Sequence, residues 1–487
     1  MIIRIGDNGI RKDHLDEIPL PLRHRNRRQA PGGFVFDDGI SSDRNGLVEP
    51  PAPDRDWWHG AEVTHLALGR TTFWRGNENE LSGRIRVTFA RLFDASGGNT
   101  VRFREGLLAD SLEAWQPRPA VVNFSIGSPL PFPGFDPALR QSVTHRQVVI
   151  VAAGNEERSL SEHPSYPALY ARDHPSLVVV GAHDRRGRLL GISNHGREYV
   201  HLLAPGCGLG PTTGETGMDH LTGTSFAAPI VSFTAAMLLS LTPPEERQSV
   251  QVHERLRITA RRPAQEDEAA VAYGILDVLA ALRLYDDVLR LNDGTLLHGE
   301  WGHAGDERDR QTVESLCRKR ESDGRNWSTI SLDRVARVRV HRQSERVRLR
   351  ILVRERSTGR LPFWEDECEP ATDGVDFTHE GGSRQVRSWR DVADLMPARD
   401  SLDRRRPVPS AGIIFGRPGA PIFAEVSRPL LLPRPNVVSG EAPTPMAAPE
   451  PLTPAPDPIR DALVRSGLAP ENPTVAQQRA AIEAFQN

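Results

Sequence analysis

The sequence predicts an α/β protein with a three-layer domain on a parallel sheet, then a small β-rich domain, a Pro-rich linker and a helical tail. Three observations predict this order. Short β-branched apolar runs alternate with helix-like stretches over residues 30–286, as in parallel α/β domains. Apolar residues alternate with arginine within 287–430, as in antiparallel strands. Residues 431–458 are about one-third proline, which is typical of an extended linker.

The first domain is predicted from five apolar runs, which are GFVF, RIRVTFARLF, AVVNFSI, VVIVAAG and SLVVVGA. Such runs, apolar on both faces, are typical of strands buried in a parallel sheet. Helices are predicted between and after them, at 59–69, 104–115, 136–146, 225–241 and 245–260. In this architecture ligands bind at the carboxyl ends of the strands. Residues 1–29 are expected to be a mostly irregular N-terminal extension.

The C-terminal half begins with LRLNDGTLLHGEW, in which Asn292, Asp293 and Gly294 predict the turn of a hairpin. The stretch 328–356 then predicts two antiparallel strands with an arginine-rich face. That face is either solvated or binds an acidic partner. Residues 459–487 predict one or two short amphipathic helices, which either dock a protein partner or pack back on the body.

Bulk properties narrow the classes of partner. A net charge of -3 gives no argument for a nucleic-acid partner. No apolar run approaches the ~18 residues of a membrane span, and the N-terminus lacks the apolar core of a secretory signal. Cys207, Cys317 and Cys368 are odd in number and widely spaced, so neither a disulfide framework nor a cysteine metal site is expected. Together these features predict a cytoplasmic protein.

The stretch GTSFAAP contains the strongest candidate for chemistry, Ser225. A serine nucleophile needs a histidine base, a carboxylate that orients the base, and a donor for the oxyanion. Asp37, His59 and Asn155 are candidates for these parts. Each residue alone has an ordinary structural explanation: a turn for Asp37 or Asn155, a helix cap for Ser225, a partly buried structural histidine for His59. His65 competes with His59 as the base.

Together, FDDGI, HGAEV, VVNFSIG, AAGN and GTSFAAP resemble, in order, the motifs of the subtilisin-like serine proteases, or subtilases. The resemblance covers roughly residues 30–285. It implies that Asp37 is the acid, His59 the base, Ser225 the nucleophile and Asn155 the oxyanion donor. It also implies a substrate-binding set, made up of Ser125, Ile126, Gly127, Ala153, Gly154 and Glu156.

The resemblance implies a serine endopeptidase that hydrolyses peptide bonds through an acyl-enzyme, and the bulk features above lead us to expect it to be intracellular and bacterial. Because Asp37 comes so early, no propeptide is expected, and control is assigned to the accessory regions, a partner or gene expression. A catalytically silent peptide-binding scaffold is the alternative. An esterase or peptide ligase with the same triad is a third possibility.

Family members often bind structural calcium, although this sequence contains no linear calcium motif and no ligands are named. Glu156 and Glu157 either favour a basic side chain before the scissile bond or form a solvated loop. Pro229 is expected in the early turns of a helix, where its missing N–H is not needed.

Overall fold

The computed structural model describes residues 1–426 with breaks, and the predicted linker 431–458 and tail 459–487 lie outside the described residues. Single residues and short segments elsewhere also lie outside the described residues. The longer breaks are 8–17, 38–58, 70–81, 211–219, 302–315, 318–334, 355–362, 398–409 and 414–422.

The N-terminal domain is built on a parallel sheet. Its strands and the smaller ones around it are β1 (Ile2–Asp7), β2 (Asn26–Ala30), β3 (Gly33–Asp37), β4 (Arg86–Arg91), β5 (Phe93–Ser96), β6 (Thr100–Phe103), β7 (Trp115–Gln116), β8 (Val121–Phe124), β9 (Val148–Ala152), β10 (Leu177–His183), β11 (Leu202–Pro205) and β12 (Gly274–Ile275). Within the described residues the main sheet has the order β12-β11-β10-β9-β8-β1-β4. Every neighbouring pair in it runs parallel, which confirms the predicted parallel sheet. The predicted run GFVF is the exception, because it forms β3 in the separate antiparallel sheet β3-β2-β7.

Helices cover both faces of this sheet. They are α1 (His59–Ala67), α2 (Phe135–Thr144), α3 (Thr224–Ser240), α4 (Ser249–Thr259) and α5 (Val278–Leu282). The core on one face joins Val121 and Ile150 to residues of α1 and α3. The core on the other face joins Phe124 to residues of α2. Because successive side chains of a strand point to opposite faces, β8 contributes to both cores, and the three predicted layers are confirmed.

The first residues of the chain depart from the prediction. β1 lies inside the sheet, between β4 and β8, so residues 2–7 are part of the domain and not of an irregular extension. Arg4 interrupts the apolar pattern of this strand, which hides it in the sequence. The Arg4 side chain is buried, and its Nη1 donates to the carbonyl oxygen of Ser111 at 2.7 Å. This hydrogen bond partly offsets the cost of burying a guanidinium at this position.

The β-rich domain is an antiparallel sheet. Its strands are β13 (Asp287–Leu291), β14 (Leu296–Trp301), β15 (Val335–Gln343), β16 (Arg346–Arg354), β17 (Phe363–Cys368), β18 (Gly374–His379), β19 (Arg384–Ser388) and β20 (Val392–Met396). Their order is β17-β16-β15-β20-β13-β14-β18-β19, and β21 (Ser410–Ile413) pairs separately with β22 (Phe423–Val426). The β13–β14 and β15–β16 pairs are the predicted hairpin and strand pair, and both are confirmed.

The cysteine prediction is wrong at one pair. Cys317 and Cys368, 51 residues apart in the sequence, form a disulfide across a Cα–Cα distance of 5.7 Å. Spacing along the chain does not reveal this, because the fold brings the two residues together. The redox argument for a cytoplasmic location therefore falls, and that location stays a prediction.

A group of charged residues joins the two domains. We call it the interface charge cluster: Glu254 and Arg257 of α4, Arg337 and Arg339 of β15, and Asp394 of β20. Arg257 Nη1 donates to Asp394 Oδ2 at 2.7 Å, and Arg337 Nη1 lies 2.5 Å from Glu254 Oε1. Arg337 is buried. The arginine-rich face is therefore not wholly solvated, because part of it docks on acidic groups of its own chain.

The cluster has strong electrostatic effects. Burial alone would raise the pKa of Glu254, but the neighbouring Arg257, Arg337 and Arg339 outweigh it and hold that pKa far below its usual range. The same balance, with Arg257 the main cation, lowers the pKa of Asp394. Both carboxylates are thus charged at neutral pH, and each one faces a cation across the domain boundary.

Candidate active site

Three neighbouring strands bring the candidate residues to one edge of the parallel sheet. Asp7 is the last residue of β1, Ser125 follows β8, and Asn155 follows β9. These strands are adjacent in the order β9-β8-β1. The carboxyl ends of parallel strands share one edge, so the three residues meet where α/β domains place their chemistry.

His59 has a carboxylate partner at this edge, and that partner is Asp7. His59 Nδ1 lies 2.8 Å from Asp7 Oδ1. The Asp7 side chain is 4% exposed and that of His59 is 23% exposed, so the acid is buried and the base reaches solvent. A buried carboxylate on Nδ1 leaves Nε2 of the ring to take a proton from a nucleophile.

The predicted acid, Asp37, does not occupy this place. Asp37 ends β3, which belongs to the separate antiparallel sheet β3-β2-β7, and it pairs there with Asn26. The prediction is wrong for a physical reason: both aspartates leave a strand two residues before a glycine, so their local sequences look alike. Membership of the parallel sheet separates them, and local pattern does not report it.

The base and the nucleophile are carried by two packed helices. His59 is the first residue of α1, and Ser225 is the second residue of α3. The ring of Phe226, next to Ser225, lies 5.3 Å from the His59 ring between centroids. His65, the competing histidine, is fully buried in the last turn of α1. The contact with Asp7 therefore favours His59 as the base.

Ser225 lies in the first turn of α3, two residues after the Gly223 cap. Gly223 has a φ of 145°, a conformation that favours glycine. The Ser225 hydroxyl donates to the carbonyl oxygen of Ser125 at 3.4 Å. Its backbone N–H is one of the first N–H groups of the helix, which have no partner within the helix. This N–H and the positive end of the helix dipole suit a developing oxyanion.

Asn155 is oriented by Thr224. Asn155 Oδ1 accepts hydrogen bonds from Thr224 N at 2.8 Å and from Thr224 Oγ1 at 3.0 Å. Because Thr224 holds the carbonyl oxygen of the Asn155 amide, the opposite end of the amide is the –NH₂ group, which is a hydrogen-bond donor. Asn155 is exposed, so this donor can meet a substrate. This orientation fits the predicted oxyanion donor, and sequence reasoning missed the part played by Thr224.

The predicted substrate-binding residues follow two neighbouring strands, three of them after β8 and three after β9. Ser125, Ile126 and Gly127 continue from β8, and exposure rises from the buried Ser125 to the exposed Gly127. Ala153 does not fit the prediction: it is fully buried, its N–H donates to Val180, and its carbonyl accepts from Asn194. The remaining two, Gly154 and Glu156, lie in the turn after β9.

Glu156 is exposed but held in place. Asn194, which is buried, donates from Nδ2 to Glu156 Oε2 at 2.6 Å. Asn194 Oδ1 accepts from the backbone N–H groups of Glu156 and Arg158 at 3.2 and 3.0 Å. The Glu156 carboxylate is therefore a fixed negative group beside Asn155, and the loop is ordered by side-chain contacts.

The family model described as "Subtilase family" matches residues 1–275, which is more than half of the chain. The chain belongs to the subtilase family. The match includes β1 and Asp7. It therefore begins before residue 30, where the motifs predict the start of the domain.

Curated relatives match the same part of the chain. Halolysin of Haloferax mediterranei is 30% identical over 248 residues, which cover 49% of this chain and 41% of halolysin. Subtilisin DY of Bacillus licheniformis is 28% identical over 287 residues, which cover 57% of this chain and 90% of the relative. The chain thus spans less than half the length of halolysin. The solved prenylagaramide maturation protease PagA is 21% identical, covers 58% of this chain and 92% of its own, and has a TM-score of 0.42.

Within the described ranges, no group of three or more His, Cys, Asp or Glu residues is placed to hold a metal ion, so calcium stays an implication of the family resemblance. Over the same ranges, none of the helices combines the length and apolar character needed to cross a membrane.

Proposed function

We propose that the chain is a serine endopeptidase in which Asp7, His59 and Ser225 form the triad and Asn155 is the oxyanion donor. The observation that carries the proposal is the 2.8 Å contact between His59 Nδ1 and the buried Asp7. His59 lies on α1, which packs against α3, the helix that carries Ser225. Family membership supports acyl transfer as the reaction. The silent-scaffold alternative gives no reason for a buried acid on the histidine.

The proposed mechanism uses only side chains and backbone of this edge. Ser225 Oγ attacks the scissile carbonyl of an extended peptide while His59 Nε2 accepts the hydroxyl proton. Asp7 holds the proton of Nδ1, which fixes the tautomer and stabilises the imidazolium. The Asn155 amide and the Ser225 N–H donate to the oxyanion. His59 then protonates the leaving amine, and water releases the acyl group by the same steps in reverse.

For the substrate, we propose a preference for a basic side chain before the scissile bond. In the family the loop after the oxyanion asparagine borders the pocket for that side chain, and Asn194 fixes the Glu156 carboxylate in this loop. A mixed peptide library read by mass spectrometry tests the preference, with Glu156→Gln as the isosteric control. Equal cleavage after basic and neutral residues by the wild type would remove it.

Regulation through the β-rich domain is part of the same proposal. The interface charge cluster connects that domain to α4, and α4 packs against α3, which carries Ser225. A partner that shifts the β-rich domain would therefore act on the helix of the nucleophile. The intracellular location and the docking of a partner by the tail rest on the sequence alone.

The test of the activity is labelling of the full-length protein with a fluorophosphonate probe, alongside hydrolysis of a casein-type protein. Labelling at Ser225, located by mass spectrometry and lost in Ser225→Ala, is expected together with hydrolysis. Peptide binding without labelling would support the scaffold instead. Ester turnover or aminolysis without peptide hydrolysis would support an esterase or ligase.

A further inference from the structure

Pro229 interrupts the hydrogen bonding of α3 at the nucleophile itself. The helix begins at Thr224, so Pro229 is its sixth residue and lies beyond the first turn. The expectation that the missing N–H is not needed there is wrong. In an α-helix the N–H of residue i donates to the carbonyl oxygen of residue i−4. Because proline has no N–H, the Ser225 carbonyl oxygen receives no hydrogen bond from residue 229.

The Ser125 side chain takes the place of that donor. Ser125 Oγ donates to the Ser225 carbonyl oxygen at 2.8 Å. The Ser225 hydroxyl in turn donates to the Ser125 carbonyl at 3.4 Å. The nucleophile is therefore tied to the end of β8 through both its carbonyl and its side chain.

Two further buried groups hold the Ser125 hydroxyl. Ser232 Oγ, two turns along α3, donates to Asn123 Oδ1 at 2.9 Å, and Asn123 Nδ2 donates to Ser125 Oγ at 3.0 Å. We call Ser232, Asn123 and Ser125 the hydroxyl–amide chain. Asn123 and Ser232 are fully buried and Ser125 is 6% exposed. Ser232 Oγ also lies 3.2 Å from the Ala228 carbonyl oxygen, so its single proton is shared between that oxygen and Asn123 Oδ1. Within the chain the donors run toward Ser225, and such bonds polarise one another.

The position of Asn123 is notable because apolar residues surround it. Asn123 lies on β8, where alternation places it on the same face as Val121, against α3. A buried amide in such a layer is unfavourable unless both of its ends are bonded. Here both ends are bonded, and the bonds lead to the nucleophile.

We propose that the Ser125 side chain is a positioning residue for Ser225, supplying the hydrogen bond that Pro229 withholds and itself held by Asn123 and Ser232. The proposal deepens the proposed function, because it takes Ser225 as the nucleophile. It gives the Ser125 side chain a part distinct from the predicted pairing of its backbone with substrate. A neutral chain fixes the nucleophile without placing another charge beside Asp7 and His59.

The test is a double-mutant cycle between Ser125 and Pro229 in the full-length protein. Ser125→Ala leaves the backbone that pairs with substrate, so KM is expected to stay within about twofold while kcat falls about 10- to 100-fold, as for a misplaced reacting group. Pro229→Ala restores an N–H to residue 229. In that background Ser125→Ala is expected to lower kcat by about threefold or less, which is the coupling signature.

Ser176→Ala is the matched control for the loss of a buried hydroxyl. Ser176 Oγ lies 2.6 Å from Ser142 Oγ, in the layer that contains α2, and both residues are buried. This variant is expected to lower the Tm about as much as Ser125→Ala while kcat stays at the wild-type value.

The double-mutant cycle has three possible outcomes. A loss of kcat in Ser125→Ala that Pro229→Ala largely removes supports the proposal. An equal loss in both backgrounds, or no loss in either, overturns the positioning role while leaving Ser225 as the nucleophile. A wild-type protein that is not labelled at Ser225 overturns the proposed function and the positioning role together.

Discussion

The buried side chains that hold the backbone of Ser225 carry hydroxyls and an amide, whereas those that contact Arg257 carry full charges. In the hydroxyl–amide chain, three neutral side chains link the interior of α3 to the carbonyl of the nucleophile. In the interface charge cluster, carboxylates and guanidinium groups link α4 to the β-rich domain. Both regions bury polar groups, and in both each side chain contacts at least one polar or oppositely charged partner.

The difference in chemistry matches a difference in task. A charge beside the Asp7–His59 pair would alter the proton affinity of the base, so neutral groups suit the positioning of Ser225. At the domain boundary no proton has to move, and opposite charges supply a specific docking geometry. We therefore expect variants near Ser225 to change turnover, and variants near Arg257 to change stability.

The largest expected effect in stability is that of Arg257→Met. The variant leaves the buried carboxylates of Asp394 and Glu254 with fewer cations, which is expected to lower the free energy of unfolding by about 3–5 kcal/mol. Urea unfolding followed by circular dichroism measures it. Arg140→Met, which breaks an exposed pair with Asp136 on α2, is the control, with an expected change of about 0–1 kcal/mol. Equal changes in the two variants would contradict the docking role.

The next effect concerns turnover. Asn155→Ala removes the amide that Thr224 orients, and kcat is expected to fall by about 10²–10³-fold with little change in KM. Steady-state hydrolysis of a peptide substrate measures both constants. An unchanged kcat would mean that the amide does not reach the oxyanion.

A smaller effect depends on pH and involves His253 of α4. Burial lowers the pKa of His253 to about 4, with Arg257 and Arg339 adding to the shift and Glu254 opposing it. In the unfolded chain the pKa is near its ordinary value of about 6.5. The unfolded state therefore binds more protons between these values, and stability is lost as pH falls from about 6.5 toward 4.

His253→Phe retains an aromatic ring beside His201 and Tyr273 but cannot titrate. Between pH 7 and pH 5 the wild type is expected to lose about 1–2 kcal/mol more of its free energy of unfolding than the variant does. Parallel losses in both proteins would assign the acid sensitivity to other groups.

The sequence predicts the parallel sheet and the Ser225 helix because short apolar runs and the GTSFAAP motif are local signals. It does not identify Asp7, because Arg4 breaks the apolar pattern of β1 and the strand precedes the motif-like Asp37. The arrangement of the sheet decides between the two acids. The Cys317–Cys368 disulfide and the interface charge cluster escape prediction for a related reason, since both depend on contacts between distant segments.

The contacts of Pro229 show what a motif leaves out. The motif places Pro229 four residues after Ser225. Only the fold shows that the Ser225 carbonyl therefore lacks its usual helical donor, and that Ser125 Oγ donates to it in place of that N–H. The hydrogen bond to the Ser225 carbonyl depends on the tertiary fold, because its donor, Ser125 Oγ, lies 100 residues away in the chain.

The most direct measurement is the rate of fluorophosphonate labelling at Ser225 in two full-length variants, Asp7→Asn and Asp37→Asn. We expect Asp7→Asn to slow labelling by about 10³–10⁴-fold, since the amide no longer fixes the tautomer of His59. We expect Asp37→Asn to label at the wild-type rate. The reverse pattern, with labelling lost in Asp37→Asn and retained in Asp7→Asn, would contradict the Asp7–His59–Ser225 triad.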